Sequence, residues 1–198
     1  MLQKLILASL LIALLTVSSG FSQGVTYKID PAHSTVGFSV THMLISDVDG
    51  KFKEYDATFV LNENDPSKSS VNATIKVASV DTENEKRDGH LTSPDFFDAA
   101  SHPEITFESS SVEKKDDGNY VANGKLTIRG TTKDVALPFT VKGPVTDPWG
   151  NTKIGVQAEM TIDRQKFGVS WSKTLDAGGL VVDNKVIIII KAEMAKQG

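Results

Sequence analysis

The chain has 198 residues, a formal charge of −4 and no cysteine. That length suits a single domain with a sizeable core, and the missing cysteines exclude disulfides and thiol chemistry. The mild acidity is spread along the chain, which argues against nucleic acid or an anionic membrane as the main partner.

Residues 1–22 read as a secretory signal peptide. Lys4 is the only charge, residues 5–17 are almost wholly apolar, and Ser18-Ser19-Gly20 is small and polar. The apolar run is shorter than the roughly 20 residues of a membrane span, and no cysteine follows to carry a lipid. A soluble domain over residues 23–198 is therefore expected, periplasmic or secreted, with no stable membrane anchor. No repeat or linker divides it.

Eight runs then show the two-residue alternation of strands. Val36, Phe38, Val40 and His42 share a face after a lead-in at residues 27–29, and Tyr55, Ala57, Phe59 and Leu61 share the next. Val71, Ala73, Ile75 and Val77 form the third run, and Ile105 with Phe107 opens the fourth. Tyr120, Ala122, Leu126 and Ile128 follow a hairpin signal at residues 116–119. Val135, Leu137, Phe139 and Val141 make the sixth run, and Ile154, Val156, Ala158, Met160 and Ile162 the seventh. The last, residues 186–190, is apolar on both faces. Its outside needs covering, either by residues 166–182 or by a second subunit in a homodimer.

The alternation breaks between residues 86 and 107. Ser93 before Pro94 suits an N-cap with proline at the first helical position, and Asp95 suits the first turn. His102-Pro103 returns the chain to extended geometry. One or two helical turns over a barrel end are expected here, with Phe96 or Phe97 turned inward as a stopper; the alternative is a plain connecting loop with a buried phenylalanine.

Eight antiparallel strands with one helical interruption favour a closed up-and-down barrel, which leaves no exposed edge. Its inward set is nearly all apolar, and Ala57, Ala73, Ala122 and Ala158 leave space. Such a barrel is either filled by its own side chains or holds one ligand. Strands of about ten residues at ~40° tilt enclose a tunnel roughly 25 Å tall, enough for a long hydrocarbon chain.

Chemistry-bearing residues are few. His33, His42, His90 and His102 form no metal-ligand pattern, so no metal site and no cofactor is expected. No nucleophile stands beside a base in a known motif, and no catalytic residue is assigned. Arg87, Arg129 and Arg164 are the only arginines. Arg164 continues the inward parity of Met160 and Ile162 and suits an anionic head group. Arg129 has the opposite parity and reads as a hairpin residue exposed to water.

Four stretches in order resemble the YceI-like family of extracytoplasmic lipid-binding proteins. They are Tyr27-Lys28-Ile29-Asp30-Pro31-Ala32-His33-Ser34, the segment 91–107 containing FFDAASHPEITF, Leu126-Thr127-Ile128-Arg129-Gly130-Thr131-Thr132-Lys133, and Asp163-Arg164-Gln165-Lys166-Phe167-Gly168. The resemblance implies an all-β, eight-stranded, antiparallel, lipocalin-like barrel with a short helical lid and an elongated apolar cavity. It also implies binding of a polyisoprenoid or another long-chain amphiphile, tail inside and head at the mouth.

The reading that follows is extracytoplasmic transport or sequestration of such a lipid. Phe38, Phe59, Phe97, Phe107, Phe167 and Trp171 are the expected tail contacts, and His33, His42 and Arg164 the expected head-group contacts. An enzyme acting on a lipid head group with His42 or His102 as base is the alternative from another class. A third is an interaction barrel with a filled core.

Overall fold

The computed structural model describes residues 24–176 and 178–198, so the expected signal peptide lies outside the described residues. Eleven strands form one sheet: β1 (Val25–Ile29), β2 (Thr35–His42), β3 (Ser46–Phe52), β4 (Tyr55–Leu61), β5 (Ser70–Lys76), β6 (Val80–Asp81), β7 (Glu104–Asp116), β8 (Asn119–Ile128), β9 (Thr131–Thr146), β10 (Thr152–Asp163) and β11 (Val182–Lys196). Helix α1 (Glu85–Thr92) separates β6 from β7.

The barrel closes through eight antiparallel neighbours in the order β1-β4-β5-β7-β8-β9-β10-β11, with β11 returning to β1 at Tyr27↔Lys196 and Ile29↔Met194. β1 and β2 lie in succession along β11. A 3-10 turn at Pro31–His33 breaks them, capped by the Asp30 carboxylate, which accepts the Ala32 N–H at 3.1 Å. β2 then pairs higher on β11, from Lys191↔Thr35 to Val182↔His42, and carries β3 and β6 as an extension at the lid end. The barrel and its helical lid thus match the alternation.

Besides the two-residue β6, β3 is the strand the alternation does not reveal. Val48, Gly50 and Phe52 share its inner face, and Gly50 sits opposite Phe38. A Cβ on Gly50 would collide with the Phe38 ring, so the position takes glycine and the apolar signal is lost. The β2–β3 turn is unusual in another way. Met43 and Leu44 have φ of 53° and 65°, and the Ile45 N–H donates to the His42 carbonyl at 3.2 Å. Positive φ at both central residues is the primed hairpin pattern that Asn and Gly favour.

Helix α1 begins earlier than Ser93. Asn84 is its N-cap, accepting the Arg87 N–H at 3.0 Å, and Glu85 and Asp88 occupy the first turn. Ser93 instead ends the helix, its N–H donating to His90 O, while its carbonyl accepts the N–H groups of Phe96 and Asp98. The helical turns expected after Ser93 are therefore a chain of non-helical turns. Thr82 ties α1 to β6: its N–H and hydroxyl donate to Asp88, while Arg87 donates to its hydroxyl and carbonyl.

One end of the barrel is solid. Tyr27, Leu61, Val112, Tyr120 and Ile154 are all buried there, and Phe139 meets both Tyr120 (5.4 Å, stacked) and Phe59 (5.6 Å, edge-on). Ala122 belongs to this packed end and leaves no room. On the outer wall Ile187 stays 37% exposed; Val181 lies instead beside the β2–β3 tip, where its carbonyl accepts the Met43 N–H.

Candidate functional site

Above the packed end lies an apolar cavity of about 210 Å³ that reaches from Ala192 and Met194 to the lid. Ala57, Ala73 and Ala158 line it, as their small size suggests, and Leu91, Phe96 and Phe97 roof it. The two adjacent phenylalanines both face the cavity because the 93–98 turns replace a strand, in which neighbours would point apart. Among the described residues no buried side-chain polar atom lacks a partner.

Of the expected tail contacts, Phe38, Phe59, Phe97, Phe107 and Phe167 line the cavity. Trp171 does not. It lies against the lid from outside, 5.3 Å from Phe96 and 5.4 Å from His90, with His90 also held by Asp95 at 3.0 Å.

The expected head-group residues are not brought together. His33 is exposed on the outer wall, where Asp30 Oδ2 meets its Nδ1 at 2.9 Å. Hydrogen bonding from His33 is the largest of the influences that hold the Asp30 carboxyl below its ordinary range. Asp30, His33 and Glu193 converge as metal ligands would, but the Lys153 ammonium already bridges Asp30 and Glu193. His42 ends β2 beside Ser46 and Val182, outside the cavity lining.

Arg164 does reach the cavity wall and is only 5% exposed. Its five N–H donors are already committed, which corrects the expectation of a head-group contact. Nε donates to Asp183 O, Nη1 to Val169 O and Trp171 O, all at 2.8 Å, and Nη2 to Val182 O at 3.1 Å and Asn184 Oδ1 at 3.4 Å. Burial pulls its pKa down, and Asp163 and Asp183 oppose that. The guanidinium is a tie for the chain from β10 to β11.

The arginine that sequence parity sets aside controls the roof. Arg129 and Gly130 form the two-residue turn between β8 and β9, with φ of 47° and 69°. Strand parity does not extend into such a turn. The Arg129 guanidinium therefore lies across the lid, not out in water: Nη1 donates to Phe96 O at 2.7 Å and Gly168 O at 2.9 Å, and Nη2 to Pro94 O at 2.7 Å. His102 lies against the same turn; a Cβ on Gly130 would stand 2.7 Å from its Cε1. Neither His42 nor His102 faces the cavity, and no observed contact favours either as a base.

A lidded antiparallel barrel of the lipocalin-like kind, hollow and apolar at one end, is the class these features define. A family profile described as YceI-like domain matches residues 27–194, and the chain belongs to that family. It is 37% identical to a UPF0312 protein of Pectobacterium atrosepticum, covering 99% of this chain and 100% of that protein. It is 40% identical to Protein YceI of Escherichia coli over 82% of this chain and 86% of that protein. Among solved structures, Burkholderia cenocepacia BcnA superposes with a TM-score of 0.73 at 27% identity, covering 83% of this chain and 98% of that one. A domain from Saccharophagus degradans, described as polyisoprenoid binding and implicated in plant cell wall breakdown, shares the fold at a TM-score of 0.66 and 14% identity, over 86% of this chain and 98% of that one.

Proposed function

We propose that the protein holds a polyisoprenoid, or a similar long-chain amphiphile, in this cavity, and sequesters or carries it outside the cytoplasm after export on residues 1–22. The observation that carries the reading is a void walled by Phe38, Phe59, Phe107 and Phe167 and closed by a separately anchored roof. A void in a packed protein forfeits dispersion and hydrophobic stabilisation, and a hydrocarbon tail restores both. About a dozen buried methylenes contribute roughly 10 kcal/mol. Against the low end of association costs, about 4 kcal/mol, this leaves affinity in the tens of micromolar, tighter for longer tails. The polyisoprenoid-binding description of the Saccharophagus domain supports the same ligand class.

Titration of the purified protein with geranylgeraniol, followed by Trp171 fluorescence at the lid, tests this. Saturable binding that Ala73→Phe abolishes is expected. Absence of saturable binding in the parent protein refutes it.

A further inference from the structure

The β2–β3 hairpin ends in three consecutive large apolar residues that face solvent: Met43, Leu44 and Ile45 are 40%, 62% and 83% exposed. Two of them hold the positive φ that bulky side chains avoid, in a turn where Asn-Gly would fit without cost. Sequence and fold therefore disagree here in two independent ways.

The place of the tip gives that disagreement a direction. Val40, two residues before His42, lines the cavity, and so does Val182, the cross-strand partner of His42. The tip thus projects from the cavity wall at the lid end. It is braced by the neighbouring loop, since Met43 donates to Val181 O and a Cβ on Gly179 would stand 2.6 Å from a Leu44 methyl. Leu175 and Leu180 are half-buried in that loop and widen the apolar raft. Exposed Asp47, Lys173 and Asp176 in these two segments mix both signs of charge.

We infer that the Met43-Leu44-Ile45 tip dips into the surface of a zwitterionic bilayer and docks the lid end of the barrel there, so that a lipid passes between membrane and cavity. The inference rests on the lipid-binding reading above. The tip exposes on the order of 350 Å² of largely apolar surface, the size of a small functional patch, whereas a stable protein interface needs roughly 800 Å² per partner. A second copy of the chain is thus a poor fit, while a bilayer accepts a short apolar wedge without a matching surface. Mixed charge around the tip makes the contact apolar in origin and insensitive to salt.

Flotation of the purified protein with phosphatidylcholine vesicles, at low and high salt, tests the docking. Met43→Asn/Leu44→Gly/Ile45→Ser gives the turn the residues it favours, so its thermal midpoint should hold or rise while its partition onto vesicles falls at least tenfold. Trp149→Ser is the control, because Trp149 is an equally exposed apolar residue on the β9–β10 turn at the packed end. Its partition should match the parent. The inference is overturned if the parent protein does not float, if the triple variant floats as well as the parent, or if Trp149→Ser is the variant that detaches. It is also overturned if the triple substitution only converts a dimer to a monomer in sedimentation. Uptake of farnesol from solution is measured in parallel and should be equal in all variants. Failure of that uptake in the parent counts against the cavity's ligand and not against the docking.

Discussion

Arg129→Met should loosen the roof while leaving the barrel intact. The substitution keeps the length of the side chain and removes the three hydrogen bonds to the carbonyls of Pro94, Phe96 and Gly168. Hydrogen bonds from a charged group contribute roughly 1.5–3 kcal/mol when buried. Arg129 is half-buried and water takes over part of each bond, so about 1 kcal/mol apiece is the better figure, roughly 2 kcal/mol for the two bonds that hold the lid at Pro94 and Phe96. Local opening of the lid should then become roughly thirtyfold more frequent. Hydrogen–deuterium exchange reads this at the amides of Phe97, Asp98, Ala99 and His102, which donate to Leu91, Ser93, Thr92 and Asp98 within the lid. Those amides should exchange faster, with β7 and β8 unchanged, and bound lipid should dissociate faster by a similar factor. Unchanged lid protection, or equal acceleration across every strand, would show that Arg129 does not hold the lid in particular.

Ala73→Phe places a ring in the cavity and should raise stability by about 1–2 kcal/mol in chemical denaturation; a loss would mean that the void is already filled. Arg164→Met leaves four backbone carbonyls without their donor and should cost at least about 3 kcal/mol in the same assay. Gly50→Ala forces the Phe38 ring to move and should cost about 1–3 kcal/mol. Acid titration should show stability lost as pH falls below about 4. Asp30, Asp81 and Asp147 are held below the ordinary carboxylate range, chiefly by hydrogen bonds from His33, Lys53 and Asn151 respectively. A lowered folded pKa contributes stability that is complete above the unfolded pKa and disappears on passing down through the folded one. Lys153, raised chiefly by Glu193, acts in the opposite sense, its contribution fading at strongly alkaline pH.

The barrel was legible because its inward positions are apolar wherever space allows. Val36, Phe38 and Val40 on β2, or Leu137, Phe139 and Val141 on β9, alternate without interruption. β3 leaves no apolar alternation because Gly50 must stay small beneath Phe38. The start of the helix is ambiguous in the sequence because residues 84–85 and 93–95 both offer a cap followed by an acid. The hydrogen bonds of Thr82 with Asp88 and Arg87 favour the first of them. The cavity's phenylalanines were readable from strand phase and from the Phe96-Phe97 pair. The roles of the two arginines were not: five N–H groups on local carbonyls for Arg164, and a primed turn for Arg129, are backbone arrangements with no periodic trace. The four stretches that carry the family resemblance contain these parts, namely the Asp30 cap, the lid turns with His102, the Arg129-Gly130 clamp and the Arg164 tie. Their shared work is to fix the ends and roof of a barrel whose interior is left open.

Native mass spectrometry of the protein purified from its own host, paired with organic extraction and lipid analysis, tests the central claim most directly. The account predicts one long-chain amphiphile per chain, released by extraction and regained when a polyisoprenoid is added back. A bare chain that takes up no added polyisoprenoid would contradict it.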